Sequence, residues 1–155
     1  MEKKSDKSEQ RAFYERQRVL RATRSCKKRG EISELAFLHK AASVGYTVSR
    51  PYGDSDRYDF IVHSGKRLWK VQVKSTGLLV RGAYVISAQK NENGKMAEYT
   101  ADDIDFLVAH IVPDDAWMVI PIQALAPNKS FHVYPREDPR TNRYEQYRDA
   151  WWLME

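Results

Sequence analysis

The spacing of apolar and polar positions changes several times along the chain, and each change marks an element. Leu35, Leu38 and Ala42 recur at helical intervals between Glu31 and Val44, and Gly45 follows, which predicts a helix of about four turns. Tyr46 to Arg50 then alternates and stops at Pro51, and the polar turn Gly53-Asp54-Ser55-Asp56 leads into a second strand, Tyr58 to His63. After the short turn Ser64-Gly65-Lys66 a third strand runs from Arg67 to Ser75. Because side chains alternate in a strand, it puts Leu68, Lys70, Gln72 and Lys74 on one face and Trp69, Val71 and Val73 on the other. Further strands are predicted at Ala83 to Ala88, Asp105 to Val112, Trp117 to Ile120 and Phe131 to Tyr134, with a closing helix near Tyr144 to Leu153. The whole reads as an α/β unit without internal repeats.

Composition narrows the class. A chain of 155 residues with 42% apolar residues has room for one compact core and an appendage. A mean hydropathy of -0.68 describes a wet surface. The longest apolar run, Phe106 to Val112, is interrupted by His110 and falls far short of the roughly 20 residues that span a bilayer, so no membrane partner is expected. The charged start of the chain lacks the apolar stretch of a secretory signal, and the single Cys26 cannot form an internal disulfide. A cytoplasmic setting is expected.

Charge changes the picture more. The net charge of +5 hides an asymmetry: residues 1–29 hold 11 basic and 4 acidic side chains, whereas residues 30–155 hold 15 basic and 17 acidic. The expected organisation is therefore a basic arm over 1–29, partly helical or disordered, followed by a folded domain over 30–155. In the arm Arg11, Arg16, Arg18, Arg21, Arg24, Lys27, Lys28 and Arg29 are interleaved with Phe13, Tyr14, Val19 and Leu20, a pattern suited to a polyanion. A solvated charge run is the bland alternative.

The candidate chemistry lies in the domain. Glu34 is in line with Leu38 and Ala41 on the helix and borders its packing face. Asp59 stands on the second strand, and twelve residues later Gln72 and Lys74 share one face of the third. A tight hairpin sets the two strands side by side, so Asp59, Gln72 and Lys74 converge at one edge with Glu34 above them. Hard oxygen ligands for Mg²⁺ together with a cation to orient water or offset charge are what phosphodiester hydrolysis requires. Glu31 competes with Glu34 on the same turn, and a salt bridge between Asp59 and Lys74 is the structural alternative.

At these residues the sequence resembles the PD-(D/E)XK nuclease superfamily, whose core is a helix packed on a strand hairpin carrying acid, acid and lysine. The spacing of Glu34, Asp59 and Gln72-Val73-Lys74 is similar to that of archaeal Holliday junction resolvases and closer to the bacterial intron homing endonuclease branch, in which a glutamine also precedes the lysine. Tyr58 stands where many members have proline, and Gln72 replaces the second acid. The resemblance implies a restriction-endonuclease-like mixed sheet flanked by helices and a metal-dependent endonuclease acting on DNA. It implies Glu34, Asp59, Gln72 and Lys74 as catalytic residues, and Glu34, Asp59, Gln72 and the Val73 carbonyl as ligands for Mg²⁺, with Mn²⁺ as a substitute. Expected DNA contacts are Arg16, Arg18, Arg21, Arg24, Lys27, Lys28, Arg29 and Lys70. A homodimer or higher oligomer is expected for cutting two strands, with Trp151, Trp152, Leu153 and Met154 as apolar pairing surface. The rivals are a DNA-binding module that lost catalysis with its second acid, and a nuclease acting on RNA.

Other chemistries lack their residues. His39, His63, His110 and His132 are scattered, so neither a zinc cluster nor a Cys/His nucleophile is visible. Gly77 and Gly82 have phosphate-loop spacing but are followed by Ala83-Tyr84 instead of Lys-Ser/Thr. Asp102, Asp103 and Asp105 are expected to cap and turn the chain rather than bind a second metal.

Overall fold

The computed structural model describes residues 8–9, 11–16, 19, 25–125 and 128–155. By its internal contacts the chain divides into two units, 1–32 and 33–155. In the first, residues 11–16 are helical and exposed. Arg18, Arg21 and Arg24 of the expected DNA contacts lie outside the described residues.

Helix α1 (Cys26–Ser43) begins five residues earlier than the periodicity predicts. Ser25 explains the early start: its Oγ accepts the Lys28 amide at 3.2 Å, the bond of an N-cap, so Gly30 sits inside the helix and does not precede it. The far end closes as expected at Gly45, whose φ of +94° is open to glycine. Gly45 N–H donates to the Ala42 carbonyl and Tyr46 N–H to that of Ala41, both at 3.0 Å, the paired bonds of a Schellman ending. The buried stripe is Ser33, Phe37 and Ala41. Leu35, expected to face inward, is 65% exposed, because Phe37 sets the phase of the packed face.

The second unit is built on a five-stranded mixed sheet of β1 (Thr47–Ser49), β2 (Phe60–His63), β3 (Leu68–Thr76), β8 (Phe106–Ile111) and β9 (Ala116–Pro121), in that spatial order. All pairs are antiparallel except β3 with β8. Between those two the chain makes β4 (Leu79–Val80), β5 (Ala83–Ser87) and the hairpin β6 (Gln89–Glu92) and β7 (Lys95–Glu98). Asn93 and Gly94 turn that hairpin with φ of 52° and 81°, the two positive values of a type I′ turn. After β9 come the single-turn helix α2 (Ile122–Leu125) and β10 (Ser130–Val133), which joins β5 and β4 in a three-stranded sheet.

Strands β8 and β9 are buried on both faces, which is why they read as nearly continuous apolar runs. On one face Val71, Val108, Trp117 and Val119 pack with Phe37, Ala41, Trp151 and Met154. On the other, Leu107, Ile111, Met118 and Ile120 pack with Ile86, Phe131 and Val133 of the smaller sheet. A helix thus covers one face and a sheet the other.

The closing helix predicted at 144–153 does not form; two 3₁₀ turns, Glu145–Tyr147 and Trp151–Met154, stand there instead. Between them Asp149, at φ 51°, clasps β9: its N–H donates to the Trp117 carbonyl at 2.6 Å and its Oδ1 accepts the Trp117 N–H at 3.0 Å. That clasp breaks a helix which Tyr144, Tyr147 and Trp151 mimic by spacing. It also carries Trp151 and Met154 into the core, so of the expected pairing surface only Trp152 is widely exposed.

Phe37 holds α1 on the sheet, fully buried and stacked on Phe60 at 5.1 Å. Phe37→Ala is expected to cost about 3–5 kcal/mol of folding stability, read by urea unfolding. A loss under about 1 kcal/mol, well below that range, would mean that α1 is held elsewhere.

Candidate active site

The site begins where β2 stops pairing. Asp59 N–H donates to the Val71 carbonyl at 2.9 Å, and beyond it β3 has no strand on that side. The Asp59 side chain takes over: Oδ2 accepts the Val73 amide at 2.9 Å. The same oxygen accepts the Gln72 amide nitrogen at 2.6 Å, while Oδ1 accepts no hydrogen bond among the described residues. Gln72 Nε2 also reaches the Val73 carbonyl at 3.3 Å. Two acceptors flank this amide, so its nitrogen and not its oxygen must face them.

Burial sets the electrostatics. It pushes the Asp59 carboxyl above its ordinary value, against the pull of the Val73 amide, Gln72, Lys74 and Arg50. Lys74 lies within electrostatic reach of Asp59, and burial lowers its pKa although Asp59 opposes the shift. Its Nζ stands over the ring of the buried Tyr99 at 5.6 Å. The Tyr99 phenol is raised by burial and by the charges of Asp59 and Asp103, so it stays protonated.

Glu34 is half-buried, as its position beside the packed stripe requires, and its Oε2 accepts a 2.6 Å ion-paired bond from Arg50. Glu31 is exposed and paired with Lys28 at 3.2 Å. Of the two candidate helix acids, Glu34 therefore is the one on the site's side. Arg50 links the acids: it pairs with Glu34, and its field is felt at Asp59.

Gln72 and Lys74 open into a cleft of about 250 Å³ that is also lined by Asp54, Asp56, Arg57, Lys90 and Tyr99. Lys90 is fixed by Asp103 at 2.6 Å, with both side chains largely buried. For Asp103 the burial penalty is outweighed by hydrogen bonds from Lys90 and Thr100, and its pKa falls. Asp105 accepts the Lys70 amide of β3 at 2.7 Å and Asp103 the Thr100 amide at 2.8 Å, so this cluster closes a turn and ties it to the sheet, without the helix that a cap would start.

The structure thus gathers Asp59, Gln72 and Val73 by direct bonds, with Lys74 beside them and Glu34 joined through Arg50. Lys70 turns its Nζ to the Asp102 carbonyl. Arg16, Lys27, Lys28 and Arg29 are exposed. Sequence reasoning missed Arg50, Lys90 and Tyr99. Asn93-Gly94 would have signalled the hairpin that carries Lys90. Arg50, between a short strand and a proline, carried no signal.

No group of three His, Cys, Asp or Glu side chains suited to a metal occurs among the described residues. The donor chemistry nevertheless fits a hard divalent cation: Oδ1 of Asp59 is open, and the Val73 carbonyl is turned to the same strand edge. The Gln72 amide stands between Asp59 Oδ2 and the Val73 carbonyl with its positive end, where a cation would otherwise offset them. Ligation by the Gln72 oxygen requires that amide to turn over.

A profile of the PD-(D/E)XK endonuclease family matches residues 24–154. Among solved structures the chain is similar to the bacterial homing endonuclease I-Ssp6803I, with a TM-score of 0.74 and 30% identity over 84% of this chain and 93% of that one. It also matches the Holliday junction resolvase Hjc of Archaeoglobus fulgidus, at a TM-score of 0.44 and 17% identity over 68% and 84% of the two chains. Comparison with curated proteins gives no match. The likeness to the homing endonuclease bears out the restriction-endonuclease-like mixed sheet expected from the sequence.

The raised Asp59 carboxyl makes stability depend on pH. A folded pKa above the ordinary 3.8 means that Asp59 favours folding only while protonated. Its contribution is full below about pH 3.8 and is lost as pH rises through the folded value. Asp59→Asn, which keeps an acceptor and removes the charge, is expected to be more stable than wild type at about pH 7, with the difference vanishing toward about pH 3.5. Urea unfolding at both pH values checks this, and a less stable variant at neutral pH contradicts it.

Proposed function

Because the chain belongs to the PD-(D/E)XK endonuclease family, we propose that it cuts DNA by metal-dependent hydrolysis of phosphodiester bonds at the open edge of β3. The observation carrying this reading is the Asp59 carboxylate held by the Val73 amide beside Gln72 and Lys74. Mg²⁺ is the ion best matched to these oxygen donors, with Mn²⁺ able to replace it. When bound, it supplies Lewis acidity toward the phosphate and toward water.

The chain's own residues do the rest. Asp59, Glu34, the Val73 carbonyl and the turned Gln72 amide hold the ion. Lys74, partly buried and cationic, orients the attacking water and offsets the charge that builds on the phosphate, an interaction strengthened by its desolvation. Tyr99 keeps the ammonium in place. Arg16, Lys27, Lys28, Arg29 and Lys70 serve the backbone of the duplex, in the manner of phosphate contacts that position without reading sequence. One set of Glu34, Asp59, Gln72 and Lys74 cuts one strand, so breaking both strands calls for two copies related by a twofold axis.

One observation favours the rival reading, a DNA-binding module without catalysis: the Gln72 nitrogen, not its oxygen, engages Asp59. Incubation with Mg²⁺ or with EDTA, on duplex DNA, branched DNA and RNA, decides between them. Cleavage of DNA only with Mg²⁺ is expected. Binding without cleavage would favour the module, and cutting of RNA alone would move the substrate.

Lys74→Ala and Asp59→Ala are each expected to lower Mg²⁺-dependent cleavage by about 100-fold or more, with DNA affinity within a few-fold. A variant cutting at the wild-type rate would remove its residue from the site. Replacing Arg16, Lys27, Lys28 and Arg29 with alanine should flatten the salt dependence of DNA binding, by about 0.9 in the slope of log K against log salt for each phosphate no longer neutralised. An unchanged slope would make these residues bystanders.

A further inference from the structure

We propose that Arg50 is the resident counter-ion of Glu34, with which an incoming divalent cation competes and which, once released, pairs with a DNA phosphate. The inference rests on the metal-dependent reading above and assigns to Arg50 a positioning role at its site.

The geometry is specific. Arg50 Nη2 lies 2.6 Å from Glu34 Oε2, and the guanidinium carbon stands 5.4 Å from the centre of the Phe60 ring, next in sequence to Asp59. One guanidinium therefore neutralises Glu34 beside the strand end that carries Asp59, and a metal competes with it for the Glu34 carboxylate. Arginine stays charged at all working pH values, so deprotonation offers no release. The exchange must be ionic, two charges entering as one leaves.

The same geometry says where Arg50 goes. Its side chain is 61% exposed against 24% for Glu34, so the guanidinium is the more solvated partner of the pair. Pro51 follows and restricts the Arg50 backbone to extended conformations, which confines the movement to the side chain. A planar guanidinium released beside the acids matches phosphate oxygens as it matches a carboxylate. The phosphate would thus draw away the group that blocks the metal, making the two ligands mutually supportive.

The test is titration of Mn²⁺ alone into the full chain without DNA, by calorimetry, followed by DNA cleavage at saturating Mn²⁺. Arg50→Ala should bind Mn²⁺ roughly two- to fivefold more tightly, the range for a partly exposed ion pair. It should nonetheless cut DNA about tenfold more slowly, the loss of one charged hydrogen bond. Arg50→Lys, which keeps the charge, should restore Mn²⁺ affinity to the wild-type value. Arg57→Ala removes another guanidinium, which lines the cleft and pairs with Glu92, and should leave Mn²⁺ affinity unchanged. Equal or weaker Mn²⁺ binding by Arg50→Ala, an equal gain in Arg57→Ala, or undiminished cleavage would overturn the proposal. Asp59→Asn separates the two levels: if it binds Mn²⁺ like wild type, the metal site itself is misplaced, whereas if it loses binding and Arg50→Ala gains none, only the role of Arg50 fails.

Discussion

Where β2 ends at Phe60, the Val73 amide loses its place in the ladder, and the Asp59 carboxylate accepts it in place of a strand. This substitution organises the site. It fixes the acid against backbone and not against a mobile side chain, leaves the Val73 carbonyl turned to the same edge, and gives the Gln72 amide a single sensible orientation. An orphan amide in a half-buried sheet is costly, so the carboxylate is structurally required even before any ligand arrives. Chemistry and fold thus make demands on one oxygen pair.

The demands are not equal. Burial raises Asp59 and lowers Lys74, each shift opposing the charged form, while the charge of each draws the other's pKa part of the way back. Structural salt bridges are arranged otherwise: Lys90 and Asp103 are also buried, yet hydrogen bonds from Thr100 and Lys90 bring Asp103 below its ordinary value. Lys90 and Asp103 fasten the cleft wall, whereas Asp59 and Lys74 are held by burial against their charged forms. Phe37 packs against Phe60 and Trp117 behind the strands that carry these groups.

Much of this was legible in the sequence. Alternation in β3 put Gln72 and Lys74 on one face, and the Gly65 turn set Asp59 beside them, because strand period and hairpin length are local properties. Local signals also failed where distant contacts decide. Leu35 outweighed Phe37 in the helix pattern, although packing against Phe60 fixes the phase. The spacing of Tyr144, Tyr147 and Trp151 spelled a helix that the Asp149 clasp on Trp117 prevents. The sheet covering the second face was hidden because its strands lie far apart in sequence, and Arg50 was silent because its partner, Glu34, is sixteen positions away on another element.

The parallel pairing of β3 with β8 carries a separate implication. The chain leaves the sheet after Thr76 and returns at Asp105, where bonds of 2.8 and 2.7 Å in opposite directions join Asp105 to Lys70 and clamp the return beside the strand it left. Everything between, including the β6–β7 hairpin at the cleft, hangs from a fixed gate. The exposed Asn93-Gly94 tip lies two residues beyond Asn91, which lines the cleft together with Gln72 and Lys74. The segment that brings Lys90, Asn91 and Tyr99 to the cleft is thus held by a clamp that lies outside the cleft itself.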